Sequence, residues 1–158
     1  MPFLRGKEIE RKFLVKENWS PGSEGLKIAQ GYLSTVPERT VRVRIKGGKG
    51  YLTIKGKNQG ISRAEFEYEI PVCDAEELLK MAEQPILSKT RYLEQQDGFT
   101  WEIDVFAGEN QGLIVAEIEL PDENTTFTAP VWLGEEVSGD VRYYNANLIK
   151  NPFSLWKK

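Results

Sequence analysis

The sequence predicts a mostly β fold of the α+β class: an antiparallel sheet of eight short strands with a few short helices. Three observations carry this. Apolar and polar residues alternate with period 2 through eight separate segments, the spacing at which a strand buries one face. Glycine-containing turn signals separate most of these segments. Helical periodicity is confined to short pieces. The 158 residues suit one domain over residues 1–158, long enough for a real core. Such strands are expected to close into a barrel or to pack as a sandwich.

The expected strands cover residues 9–15, 27–34, 40–46, 51–55, 63–70, 89–95, 100–106 and 113–120. Lys46-Gly47-Gly48-Lys49-Gly50, Asn58-Gln59-Gly60 and Asp97-Gly98 mark turns between them, and an Asp-Gly pair between alternating runs is a hairpin signal. Asp74 is the expected N-cap of a helix, with Glu77 three residues on and Pro85 beyond its end. Leu78, Leu79 and Ala82 form its apolar stripe. Residues 131–139 are expected to form a short helix, and residues 143–149 another before Asn151-Pro152. Residues 18–26 and 121–130 read as loops, and no internal repeat or linker is visible.

Composition removes several functions. With 24 acidic and 21 basic side chains, the net charge is −3, which excludes a nucleic-acid binder working by bulk positive charge. Without histidine, the Ser-His-Asp and Cys-His machineries and imidazole zinc sites are excluded. Cys73 alone forms no internal disulfide, which suits a reducing compartment. A metal here takes oxygen ligands and is therefore Mg²⁺, Mn²⁺ or Ca²⁺. No signal-peptide core or apolar run of about 20 residues is present, so the expectation is a soluble cytoplasmic protein.

The polar faces of the strands are unusual. Glu8, Glu10 and Lys12 share one face. So do Arg42 with Arg44, Glu65 with Glu67, Lys89 with Arg91, Glu102 with Asp104, and Glu117 with Glu119, while Lys55 stands opposite Leu52 and Ile54. A solvated sheet face is the ordinary home of such charges. Like charges repeated at i and i+2, however, repel one another, and here they form four acidic and two basic pairs. These blocks become favourable around a ligand carrying both signs. Carboxylate pairs suit a divalent cation, and paired Arg and Lys suit phosphate oxygens. A barrel closed with its charged faces inward would hold a slender metal–polyphosphate complex. Its apolar faces would then need cover, from the helices near residues 74–84 and 130–150 and from a homodimer interface.

These residues resemble the CYTH superfamily of triphosphate tunnel metalloenzymes, its small bacterial members in particular. EIERKFLV at 8–15 is similar to the ExExK signature. QGYL at 30–33, VRVR at 41–44, TIKG at 53–56, SRAEFEYEI at 62–70, KTRY at 89–92, WEIDVF at 101–106, VAEIEL at 115–120 and LGEEVSGDVRYYNANL at 133–148 follow in order. The resemblance implies a closed, eight-stranded antiparallel tunnel with a few short helices packed outside. It implies Mg²⁺- or Mn²⁺-dependent hydrolysis of a linear triphosphate, foremost inorganic tripolyphosphate to pyrophosphate and phosphate.

Residue by residue, the resemblance implies metal ligation by Glu8, Glu10, Glu65, Glu67, Asp104, Glu117 and Glu119. It implies phosphate binding by Lys12, Arg42, Arg44, Lys55, Lys89 and Arg91, with Lys12, Lys55, Glu10 and Asp104 also in catalysis. Lys46 and Glu69 continue the same faces near strand ends, as rim residues. Glu102 shares the face of Asp104 by parity and stays outside the set, and Tyr32 is expected to pack near the tunnel mouth. Class IV adenylate cyclase and thiamine triphosphatase are alternative activities of the same tunnel. The former ranks lower because this chain has no histidine near its ExExK strand. A non-catalytic polyphosphate or nucleotide sensor is the alternative of another class.

Overall fold

The computed structural model describes residues 6–156. All eight expected strands form, within two residues of their expected ends. They are β1 (Lys7–Val15), β2 (Leu26–Ser34), β3 (Arg39–Lys46), β4 (Lys49–Gly56), β5 (Ser62–Ile70), β6 (Leu87–Gln96), β7 (Phe99–Phe106) and β8 (Ile114–Glu119). Every pairing is antiparallel, in the order β5-β4-β3-β2-β6-β7-β8-β1, and β1 returns to β5 to close the barrel. The β3–β4 hairpin turns on Gly47 and Gly48, with φ of 59° and 94°, a conformation glycine adopts without steric cost. Asp97 and Gly98 turn β6 into β7 in the same way, with φ of 51° and 83°.

Three departures from the sequence reading concern what surrounds the barrel. Residues 131–139 are not a helix: Leu133–Glu136 form a ninth strand, β9, on the edge of β1 beyond the part that β5 occupies. The helix α1 (Val72–Met81) begins after Pro71, and Asp74 lies in its first turn rather than at the cap. Proline fits a helix start because its missing N–H would find no partner there.

The third departure concerns the last helix, α2 (Asn145–Lys150). Leu148 and Ile149 pack with Tyr32, Leu87, Phe106, Leu113 and Val115. Leu87, Phe106 and Val115 lie two residues from Lys89, Asp104 and Glu117, and so share their inward faces. Thus α2 meets apolar residues of the barrel interior instead of covering the outside.

The outward apolar faces are covered by two elements. Ala75 and Leu79 of α1 bury Val43 of β3, with Ile45 and Leu52 beside it. The approach is close: a Cβ added at Gly50 would lie 2.8 Å from that of Ala75. On the other side, Phe127 and Trp132 of the segment after β8 close over Phe13, Trp101, Ile103 and Ile118. Trp101 packs edge-on against Phe127 and Trp132, with ring centroids 5.3 and 5.5 Å apart, geometry that adds to simple burial. Phe66 and Tyr68 of β5 remain exposed. No helix among the described residues is long and apolar enough to cross a membrane.

Candidate active site

Because the apolar residues of β1, β3, β7 and β8 are drawn outward into these covers, strand alternation turns their charged neighbours inward. They enclose a cavity of about 460 Å³, inside the roughly 300–1,000 Å³ range of small-ligand sites. Of the expected site residues, Glu8, Glu10, Lys12, Arg42, Arg44, Lys55, Glu65, Glu67, Arg91, Glu117 and Glu119 line it. Lys46 and Glu102 line it too.

Lys89 and Asp104 do not belong to that lining. They are 2% and 1% exposed and form a buried ion cluster with Arg91. Asp104 accepts a bidentate pair from Arg91 Nε and Nη2 at 2.7 and 2.9 Å. Lys89 Nζ stands 2.8 Å from the same carboxylate but off the hydrogen-bonding direction, so it contributes charge without a directed bond. The contacts with phosphate and metal expected of Lys89 and Asp104 would require this cluster to open. The cluster instead fixes the guanidinium of Arg91 at the cavity wall, where its other edge meets Glu102 at 3.2 Å. Burial opposes the charge on Arg91, yet Asp104, Glu102 and Glu117 together raise its pKa well above the ordinary value.

A second group is internally paired. Lys55 Nζ donates to Glu8 at 2.9 Å and stands 3.4 Å from Glu65. Burial works against the Glu8 carboxylate, but Lys55 holds its pKa below the usual range. Arg42 donates to Thr53 Oγ1 at 3.2 Å and to Glu67 at 3.3 Å, and Thr53 donates to Glu67 at 2.7 Å. Glu67 is thus occupied as an acceptor, and its pKa falls despite desolvation.

The remaining basic groups make no close ion pair. Lys12, Arg44, Lys46 and Arg63 line the cavity, and none makes an ion pair among the described residues. Arg44 donates only to Gln30 Oε1, at 3.2 Å. Burial, then repulsion from Arg42 and Arg91, lowers its pKa to about 10. Lys12 is held by the chain's last quarter. Its Nζ donates to the Tyr143 carbonyl at 3.2 Å, and its backbone N–H donates to Ser138 Oγ at 2.9 Å.

On the acidic side, burial and then Glu117 and Glu8 push Glu10 well up. Glu117 is driven well down against burial by Lys12, Arg91 and Lys89 and by the hydrogen bond from Glu10. The two carboxyls are thus driven apart in pKa, as neighbouring carboxyls are. Burial, then Glu8, Glu65 and Glu102, lifts the Glu119 carboxyl to about 7.

That lift has a measurable consequence. Between the ordinary glutamate value of 4.5 and about 7, the folded protein holds more protons at Glu119 than the unfolded chain. This contribution to stability is present at the acid end and lost as pH rises through about 7. Carboxyl ¹³C shifts of Glu119 are expected to titrate with a midpoint near 7. A midpoint in the ordinary glutamate range would remove the crowding described above.

As they stand, no three of the described acidic side chains converge closely enough to ligate one ion. The donor chemistry fits nonetheless. Glu10, Glu65 and Glu119 all have raised pKa values, with neighbouring carboxylates among the causes. A hard divalent cation with oxygen ligands relieves that repulsion. Arg63 was not among the expected residues, although parity with Glu65 and Glu67 puts it on the same inward face. Thr53, with no exposed surface, was missed as well, and parity with Lys55 was its signal.

Known proteins share this architecture. The CYTH domain family model matches residues 6–151. A protein of Acetivibrio thermocellus named inorganic triphosphatase is 52% identical over 155 residues, which span 97% of this chain and 99% of that protein. A protein of Nitrosomonas europaea with the same name is 39% identical over 145 residues, spanning 89% of this chain and 95% of that one. A crystal structure of an inorganic triphosphatase superposes with a TM-score of 0.65 at 37% identity, covering 90% of this chain and 97% of the other.

Proposed function

The chain belongs to the CYTH family, and from that premise we propose that it is an inorganic triphosphatase, hydrolysing tripolyphosphate to pyrophosphate and phosphate inside the barrel. The observation that carries this reading is the pairing of unmatched charges in one cavity. Lys12, Arg44 and Lys46 make no ion pair among the described residues, while burial and carboxylate neighbours lift Glu10 and Glu119. A linear triphosphate with a divalent cation completes both sets.

The basic residues do the positioning. Arg42 and Arg44 stand two residues apart on β3, roughly 7 Å along the strand, and offer guanidinium forks to non-bridging oxygens. Arg91, fixed by Asp104, grips from the opposite wall. Lys12 is presented by the Tyr143 carbonyl at 3.2 Å. Held in place before substrate arrives, these donors neutralise charge on the phosphoryl oxygens with little reorganisation. Water attacks a phosphorus atom, the bond to the leaving pyrophosphate oxygen breaks, and phosphate is released. Glu8, Glu10, Glu65, Glu117 and Glu119 are the residues that would hold Mg²⁺ or Mn²⁺, which supplies further charge neutralisation and a polarised water.

Incubation of the full chain with tripolyphosphate, ATP, thiamine triphosphate or pyrophosphate, each with Mg²⁺ or Mn²⁺, tests the reading. The expected result is phosphate and pyrophosphate from tripolyphosphate. Cyclic AMP from ATP, or tight tripolyphosphate binding without turnover, would overturn it.

A further inference from the structure

We propose that Arg63 is a further substrate-binding residue, which grips a phosphoryl group other than the one at Arg42. This rests on the triphosphatase reading of the same cavity. Arg63 lies near the start of β5, opposite Glu8 across the β1–β5 seam, and lines the cavity.

A guanidinium carries five N–H donors. The structure gives that of Arg63 one hydrogen bond, from Nη2 to Thr40 Oγ1 at 3.1 Å, and leaves its buried Nε without an acceptor. Arginines outside the barrel differ. Arg11 forks onto Glu136 at 2.9 and 2.7 Å, and Arg142 onto Asp140 at 3.1 and 2.6 Å. The carboxylate that faces Arg63 across the seam, Glu8, is already bound by Lys55 Nζ through both oxygens, at 3.2 and 2.9 Å. Lys55 thereby keeps both Glu8 oxygens occupied, so Arg63 acts on Glu8 only through charge and makes no ion pair among the described residues.

A buried, unmet donor is a cost in the free protein that an oxyanion removes. Thr40, which holds Arg63, precedes Arg42 by two residues on β3, roughly 7 Å along the strand. Arg42 is anchored at Thr53, its cross-strand partner, and Arg63 at Thr40, so the two guanidinium groups are held at successive inward positions along the strands. A linear chain of phosphates presents successive anionic groups along the barrel axis and serves both.

The test uses Arg63→Ala and Arg63→Lys in the full chain, with tripolyphosphate hydrolysis, thermal melting without substrate, and calorimetric binding of tripolyphosphate. Arg63→Ala is expected to raise KM and Kd by about 10- to 100-fold, the range carried by a hydrogen bond to a charged group. Its kcat and melting temperature should stay near those of the unmodified chain. Arg63→Lys should recover part of the affinity, because it restores the charge but not the fork. Three results overturn the inference: unchanged KM and Kd; a lower melting temperature with KM unchanged, which marks a structural role; or a shifted kcat–pH profile with KM unchanged, which marks action through Glu8. If the unmodified chain released no phosphate, the triphosphatase reading would fail, and the binding comparison would still decide the role of Arg63.

Discussion

Replacing Asp104 with alanine is expected to lower the unfolding free energy by about 3–5 kcal/mol, the penalty for removing one partner from a buried ion cluster. Asp104 is 1% exposed and neutralises two buried cations at once, Arg91 through two hydrogen bonds and Lys89 through charge alone. At roughly 2–4 °C per kcal/mol for a chain of this size, melting should fall by about 6–20 °C. The loss should be milder at alkaline pH, because Lys89 can shed its proton. Burial, against the pull of Asp104, already lowers its pKa to about 8 from 10.5. With that pull gone, the variant's Lys89 sheds its proton below about 8 while the unmodified chain's keeps it, so the loss shrinks as pH rises toward about 8. An unchanged melting temperature in Asp104→Ala would mean that the cluster is not the structural support described here.

The second large effect is kinetic. Glu117→Gln keeps the shape of a side chain buried at the cavity wall and shares its hydrogen-bonding size, so the fold should survive. The substitution removes the carboxylate that is hydrogen-bonded by Glu10 and that faces Lys12, Arg91 and Lys89. Activity with Mg²⁺ or Mn²⁺ should fall by about 10²- to 10³-fold, the scale of losing one preorganised charge-stabilising group. Equilibrium Mn²⁺ binding, followed by electron paramagnetic resonance, should weaken in parallel. Full activity and unchanged Mn²⁺ affinity in the variant would take Glu117 out of the metal set.

Several strands were legible because apolar and charged residues alternate along them, as from Val41 to Ile45 and from Trp101 to Val105. The inward sense of the charges was legible from like-charged pairs that no solvated face would gather. What remained hidden is set by non-local contacts. The LGEE segment of β9 has no alternation of its own and becomes a strand by pairing with β1 at Phe13 and Val15. Parity also gives the face of a residue but not its depth. Lys89 and Asp104 share the inward faces of Arg91 and Glu102, yet they sit beside Leu87 and Phe106, near the apolar plug completed by α2. There they are withdrawn from the cavity into a mutual ion pair. Arg63 shows the opposite limit. Its parity with Glu65 and Glu67 was available but not used, and only the engagement of Glu8 by Lys55 shows that it makes no ion pair among the described residues.

The proposed function makes the barrel interior a joint site for a cation and a chain of phosphates. Crystals of the full chain grown with Mn²⁺ and a slowly hydrolysed triphosphate analogue test it most directly, through anomalous scattering at the manganese edge. The expected result is a manganese peak within ligating distance of Glu8, Glu10, Glu65, Glu117 or Glu119, with phosphate density reaching Arg42, Arg44 and Lys12. Manganese and phosphate bound only outside the barrel, with the Glu10–Glu117 pair and Arg44 uncontacted, would contradict it.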